Sequence, residues 1–230
     1  PLNIDGGDYL KALENCIYDN PVLIQDFKTV AVSVASSHFV ILPDELSDYD
    51  TMLDTLDYMY AEDDGEREQS ELEGNDASVA FTMPRGVLAF LQRTFNMPKI
   101  VHHLVPLVRY SIIKSEKSSM AKMFVHICDG EVDMCVMRKG KLVMVNTFTC
   151  RNTDEMLFFI LNAWQNLSLD VHNDELQLSG DKAVRDELMP QLRKYISFVM
   201  PIIFPASAMK IGQDAIKAPF DLILLSQCVL

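Results

Sequence analysis

The sequence predicts an α/β fold in which mixed sheets with hairpins are flanked by helices, and three observations between residues 122 and 180 predict it. Strand-like segments meet at two-residue turns, Asp129-Gly130 and Lys139-Gly140, which are strong short-range hairpin signals. An amphipathic helix follows from Asn152, with Met156, Ile160, Ala163, Trp164 and Leu167 recurring at helical spacing. A short apolar strand through Leu176 and Leu178 then ends at Ser179-Gly180.

The hairpins set the first expectation. Lys122 to Cys128 alternates, with Val125 and Ile127 on one face and Phe124, His126 and Cys128 on the other. Glu131 to Arg138 and Lys141 to Cys150 alternate in the same way. Reading both turns as two-residue loops fixes the register, so that Ile127 faces Val132 and Met134 faces Val125 and Val145. One face is then apolar. The other carries Phe124, Cys135, Met144 and Phe148, crossed by a polar row of His126, Asp133 and Asn146. A sheet covered on both faces belongs between helices. Asn152 is the expected N-cap of the helix, with Glu155 reaching back as in a capping box.

Upstream, residues 8–19 read as a helix with Leu10, Leu13 and Ile17 on one side. Thr29 to Ala35 reads as a strand, and Ser36-Ser37 turns it into His38 to Leu42. Pro43 and Asp44 then open a helix striped by Leu46, Leu53, Leu56 and Tyr60. Residues 61–78, rich in Glu, Asp, Ser and Gly, are expected to be a mobile acidic loop or linker. A strand at Ser78 to Thr82, a helix at Pro84 to Phe95, a strand at Ile100 to Leu104 and a helix from Pro106 to near Ser115 follow. Beyond Gly180, helical sequence reaches towards Phe198 with a break near Pro190. Residues 200–219 read as irregular, and Phe220 to Leu230 as a last apolar element. The pattern divides the chain into an N-terminal half, 1–118, and a C-terminal half, 119–230.

Composition bounds the function. A chain of 230 residues can form one large domain or two small ones with a substantial core. A net charge of −13 disfavours nucleic acid and anionic membrane surfaces as partners. No apolar run approaches the ~20 residues of a membrane span, no signal peptide is visible, and the expected location is cytoplasmic. Five cysteines, none in a Cys-x-x-Cys pair, fit a reducing compartment. Pro1 at the start leads to the expectation that the natural chain is longer.

Motifs that carry chemistry are mostly missing. The nine glycines contain no Gly-x-Gly, and there is no Gly-x-Ser-x-Gly. His102 and His103 are adjacent, and on a strand they would point to opposite faces, so no metal or cofactor is expected. Asp5-Gly6-Gly7 has the letters of a phosphate-binding turn, but reads more simply as a turn with a helix N-cap at Asp5 or Asp8. The row of His126, Asp133 and Asn146 is the one candidate constellation. A carboxylate orienting an imidazole is a general-base arrangement, although the same row can satisfy itself as a polar patch under a helix end.

Three segments resemble a known family: Val30 to Leu46 (VAVSVASSHFVILPDEL), Val79 to Phe95 (VAFTMPRGVLAFLQRTF) and above all Phe124 to Gly180. The most specific markers are Val-Asn-Thr-Phe at 145–148, the helix from Asp154 to Leu167 with its Leu169-Asp170, and Leu178-Ser179-Gly180. They are similar to an uncharacterised bacterial family, a domain of unknown function with an actin-like ATPase (ribonuclease H-like) fold, over most of residues 28–195. The resemblance implies two related halves, with phosphates held on two Asp-x-Gly hairpin loops. At the matching hairpin this chain has Asp129-Gly130-Glu131, a turn too tight to curl around a phosphate and burdened with an extra negative charge. The paired glycines of the adenosine loop are reduced to Gly180 beside Ser179 and Asp181. The first phosphate hairpin would lie before the 8–19 helix.

The resemblance therefore implies a non-catalytic actin-like domain, a pseudo-enzyme that acts as a cytoplasmic binding or scaffold module for a protein partner. The acidic 61–78 segment is a candidate contact. The alternative is a divergent ATPase or phosphotransferase with Asp5 and Asp129 as metal-site acids. More distantly, the architecture looks like that of cytoplasmic actin-like proteins that dock pilus and secretion machinery.

Overall fold

The computed structural model describes residues 8–72, 74, 76–203 and 218–229. The chain forms two compact units, one reaching Val105 and the other running from Pro106 to Cys228. The division falls inside a helix, Leu104–Ser115, rather than at a linker.

In the first unit, helix α1 (Tyr9–Tyr18) starts at Asp8, whose carboxylate accepts from Lys11 N at 3.1 Å. Its Ile17, with Leu10 and Leu13, packs on the apolar side of helix α3 (Val87–Thr94), where Val87, Phe90 and Leu91 are buried. Strands β1 (Ala31–Val34) and β5 (Lys99–His102) pair in parallel, and everything between them is the crossover. That crossover holds a second, antiparallel sheet in the order β2-β4-β3, made of Phe39–Pro43, Ala77–Met83 and Glu66–Glu71. Ser36 and Ser37 thus pass the chain from one sheet to another. Helix α2 (Tyr49–Met59) begins later than the sequence suggests, because Asp48, not Pro43, caps it by accepting from Thr51 N. Met52 and Leu56 face Val40 and Ala80 of the sheet, whereas Leu46 stays exposed in a single 3-10 turn.

The expected mobile loop over 61–78 is overturned. Glu66–Glu71 is strand β3, paired residue for residue with β4, and Leu72 N donates to Ala77 O at 2.8 Å to close the hairpin. Its stability comes from backbone pairing and polar ties rather than from apolar side chains, which is why composition alone misled. Arg67 donates to Asp57 Oδ1 (2.8 Å) and to Asp63 O (2.7 Å). Asp63 in turn accepts from Thr82 Oγ1 (2.7 Å) and Gly65 N (2.8 Å) and pairs with His38 Nδ1 at 2.5 Å. Burial opposes ionisation of Asp63, but the hydrogen bonds from His38, Thr82 and Gly65 outweigh it and hold the carboxyl at about 2.

The second unit is a five-stranded mixed sheet in the order β10-β9-β6-β7-β8. Helix α4 is Leu104–Ser115, and strands β6 (Ala121–Cys128), β7 (Glu131–Arg138) and β8 (Lys141–Thr149) form the two expected hairpins. Positive φ at both residues of each turn, Asp129 (48°) and Gly130 (81°), Lys139 (54°) and Gly140 (75°), marks turns matched to the twist of the strands. The first hairpin has the predicted register, with Ile127 opposite Val132 and Val125 opposite Met134. The second does not. Val136 pairs with Met144 and Met137 with Leu142, so Val143 is an extra residue on β8. One extra residue exchanges the faces of everything beyond it. Met144 and Phe148 turn onto the main core, and Asn146 faces Met134 instead of joining Asp133.

That core is closed by helix α5 (Thr153–Asn166), which buries Met156, Ile160, Ala163 and Trp164, and by Leu188 and Leu192 of α6 (Lys182–Leu192). Asn152 caps α5 as expected, accepting from Glu155 N at 2.9 Å, while Glu155 accepts from Arg151 N. Strand β9 (Glu175–Gly180) runs parallel to β6. An unforeseen edge strand, β10 (Phe198–Pro201), pairs with β9, and its Pro201 sits at the end of the ladder, where a missing N–H is tolerated. Helix α7 (Phe220–Val229) supplies the last apolar element, and its Phe220 meets Tyr110 of α4 edge-on at 5.5 Å.

Candidate functional site

A cavity of about 570 Å³ opens in the second unit at the C-terminal ends of the parallel strands β6 and β9. Open α/β sheets bind ligands outside those ends. Strand β6 brings His126 and Cys128 to the wall, and the first hairpin turn brings Asp129. Strand β9 brings Ser179 and Gly180, and the first turns of α6 add Asp181, Lys182 and Arg185. Phe220 and Asp221 of α7 lie on the remaining side.

Of the residues singled out in the sequence, His126, Asp129, Ser179 and Gly180 line this cavity, whereas Gly130, Glu131, Asp133 and Asn146 do not. The predicted polar row is only partly assembled. His126 and Asp133 are opposite each other on β6 and β7, and both are buried. Thr147, not Asn146, completes the row, donating to Asp133 Oδ1 at 2.8 Å. The extra residue Val143 makes that exchange, and Asn146 instead accepts from Thr147 N on the exposed edge. His126 acquires a partner that sequence spacing did not suggest, since its Nδ1 lies 3.0 Å from Ser179 Oγ. The Ser179 hydroxyl donates to Val125 O at 3.3 Å, and with its hydrogen placed there His126 Nδ1 is the donor between the two. The serine is a strand-to-strand tie, 3% exposed, rather than a free nucleophile.

The two loops read as degraded nucleotide loops are engaged by the chain's own atoms to different degrees. The Asp129-Gly130 turn stays a tight two-residue turn, with the β7–β8 ladder carried one rung further where Gly130 O accepts from Cys150 N at 2.8 Å. At the other loop, a Cβ placed on Gly180 would stand 1.9 Å from Ile127 O and 2.6 Å from Ile127 N, so this glycine lets two strands approach rather than a ligand. The next residue, Asp181, accepts from Ala183 N (2.8 Å) and Val184 N (3.2 Å). Those are the amides with which the N-terminus of α6 could otherwise hold an anion.

The charge balance points the same way. Three carboxylates, Asp129, Asp181 and Asp221, stand against Lys182 and Arg185. Burial pushes the Cys128 thiol up to about 11, with Asp129, Asp221 and Asp133 adding to the rise. A thiol held there stays protonated at neutral pH and is a poor nucleophile. Among the described residues no three His, Cys, Asp or Glu side chains are grouped to hold a metal ion. Asp5, the other candidate acid, lies outside the described residues. His102 and His103 do not diverge as expected. Strand β5 ends at His102, and the two rings lie 4.3 Å apart. Among the described residues no helix is long and apolar enough to cross a membrane.

Lys182, Arg185 and Asp221 were missed by sequence reading, while Asp181 was noted only beside the reduced glycine pair and Phe220 only as the start of an apolar element. Only Asp181 carried a signal, as a capping residue directly after a strand-ending glycine.

Solved structures place this arrangement in a known fold. A Bacteroides thetaiotaomicron protein with an actin-like ATPase fold and unknown function superposes with a TM-score of 0.80 at 22% identity, covering 94% of this chain and 80% of that one. A PilM-PilN type IV pilus biogenesis complex superposes with a TM-score of 0.60 at 13% identity, covering 100% of this chain and 88% of that one. These likenesses show the fold, an actin-like ATPase fold. None of the curated proteins matches this sequence. The model of one protein family, described as "Protein of unknown function (DUF3822)", matches residues 2–199, and this chain belongs to that family.

Proposed function

We propose that this chain is a non-catalytic actin-like domain serving as a cytoplasmic binding or scaffold module for a protein partner. One observation carries the reading: the α6 amides at the end of β9 are taken by the chain's own Asp181 carboxylate. A phosphate at this site would displace an intrachain carboxylate and lie beside two more. The likeness to a PilM-PilN complex supports docking of a protein as a use for this fold. The net charge of −13 argues against nucleic acid as the partner. Calorimetric titration with Mg-ATP, followed by a phosphate-release assay, tests the reading. The expected result is no saturable heat and no release, and tight binding followed by hydrolysis overturns it.

A divergent ATPase or phosphotransferase, with Asp129 as a metal-site acid, is the second reading, and Arg185 favours it. Its Nε is buried and donates to no acceptor among the described residues, and its nearest carboxylate, on Asp186, is 3.9 Å away. Under that reading Arg185→Ala weakens Mg-ATP binding. Under the first there is no such binding to weaken.

A further inference from the structure

The net charge of this protein has an address. Between Phe39 and Met83 lie 14 of the 33 acidic residues and one of the 20 basic ones, Arg67, a net of −13. The rest of the chain balances 19 against 19. The whole negative charge therefore belongs to the small β2–α2–β3–β4 sheet and its single covering helix.

The charge is presented by a face left exposed among the described residues. Helix α2 turns Met52 and Leu56 down onto Val40 and Ala80. Asp50, Asp54 and Tyr58, spaced i, i+4 and i+8, form the opposite, outward stripe. Asp50 and Asp54 are exposed, and neither makes an ion pair among the described residues. Tyr58 is 86% exposed. A tyrosine ring standing in water beside uncompensated carboxylates is not what solubility or helix stability calls for. Like charges four residues apart oppose the helix, and α2 has Asp57 and no basic residue in its last turn.

We infer that the outward face of α2 is a docking surface for a Lys/Arg-rich amphipathic segment of a partner protein. The cations would pair with Asp50 and Asp54, and one would sit on the ring of Tyr58. The apolar side of the segment would cover the rest of the exposed Tyr58 side chain. Charge complementarity selects this occupant, since the carboxylates repel acidic peptide, nucleic acid and anionic lipid alike. The inference rests on the reading of the chain as a binding module and names the chemistry of its partner.

The test is fluorescence anisotropy of the whole chain with a labelled synthetic helical peptide, Lys on one face and Leu on the other. Two control peptides have Glu for Lys, or Ser for Leu. The account expects saturable binding of the Lys/Leu peptide alone. Asp50→Lys with Asp54→Lys should weaken it by about tenfold or more, and Tyr58→Ala by about threefold. Asp19→Lys with Asp26→Lys, the same charge change at exposed positions outside the sheet, should leave it within twofold (about the scatter of one exposed charge pair). All these positions are exposed, and a single cooperative thermal unfolding transition verifies that each variant folds. Equal weakening by both charge reversals, undiminished affinity of Tyr58→Ala, or equal binding of the Lys/Ser peptide would each reduce the attraction to bulk charge and overturn the inference. Adding Mg-ATP to the same titration separates the two proposals. Hydrolysis with peptide binding intact sinks the non-catalytic reading alone, and failed peptide binding without hydrolysis sinks only this one.

Discussion

The cavity at the ends of β6 and β9 and the outward face of α2 use charge in opposite ways. In the cavity, Asp181 spends its carboxylate on the amides of α6, and His126 and Ser179 tie strands to one another. On α2, Asp50 and Asp54 stand exposed without an ion pair among the described residues, beside a tyrosine that is 86% exposed. The first region resembles a ligand site by position, the second by chemistry. The lesson is that place in a fold and capacity to bind are separate properties.

The comparison breaks most directly at Gly180. If Gly180 is there chiefly to let β9 lie close against β6, adding a Cβ to it should damage stability before any ligand. Gly180→Ala puts a Cβ 1.9 Å from Ile127 O at a φ of 92°, and should cost about 3 kcal/mol or more in denaturant unfolding. A near-neutral effect would mean that the loop is looser than the strand pairing shows.

Deleting Val143 is next in size. It removes the extra residue of β8, so Met144 and Phe148 leave the core face and Phe148 loses its stacking on Phe159, now at 4.8 Å. A loss of about 2 kcal/mol is expected. An unchanged unfolding midpoint would show that the turn, not the bulge, sets the register.

In the acidic sheet, Asp63→Asn removes a carboxylate that His38, Thr82 and Gly65 hold at about 2. Its folded pKa lies below that of an unfolded aspartate, so its contribution is complete above roughly pH 4 and is lost as pH falls towards 2. The variant should therefore be less stable than the wild type by about 1 kcal/mol near neutral pH, with the difference vanishing in acid. A pH-independent difference would assign the effect to packing instead.

The smallest expected effect has the opposite sign. Asp54→Lys places a cation four residues after Asp50 and three before Asp57, and should stabilise α2 by about 0.3 kcal/mol, read as a rise in unfolding temperature. Gaining stability while losing peptide binding is the signature of a face kept acidic for function.

Much of the second unit was legible because its signals are local. Asp129-Gly130, Lys139-Gly140, Asn152 with Glu155, and the spacing of Met156, Ile160 and Trp164 each name their structure within a few residues. The bulge at Val143 was not legible, since no turn residue marks it and alternation looks equally good on either face. Strand β3 was hidden for a different reason. Glu-Arg-Glu-Gln-Ser-Glu is held by the ladder with β4 and by Arg67, and neither leaves an apolar period to read. Lys182, Arg185 and Phe220 of the cavity were hidden because tertiary structure, not spacing along the chain, brings them together: β6–β9 pairing for the first two and packing of α7 on Tyr110 and His126 for Phe220.

On the reading proposed above, a protein docks on the outward face of α2, and Asp181 keeps the α6 amides from a nucleotide. Amide hydrogen exchange reads both regions in one experiment, with the chain alone, with Mg-ATP, and with the Lys/Leu peptide. The account predicts that Mg-ATP leaves exchange at Asp129-Gly130 and at Ser179 to Lys182 unchanged, and that the peptide slows exchange across Tyr49–Met59. Protection of the two loops by Mg-ATP, with α2 indifferent to the peptide, would contradict it.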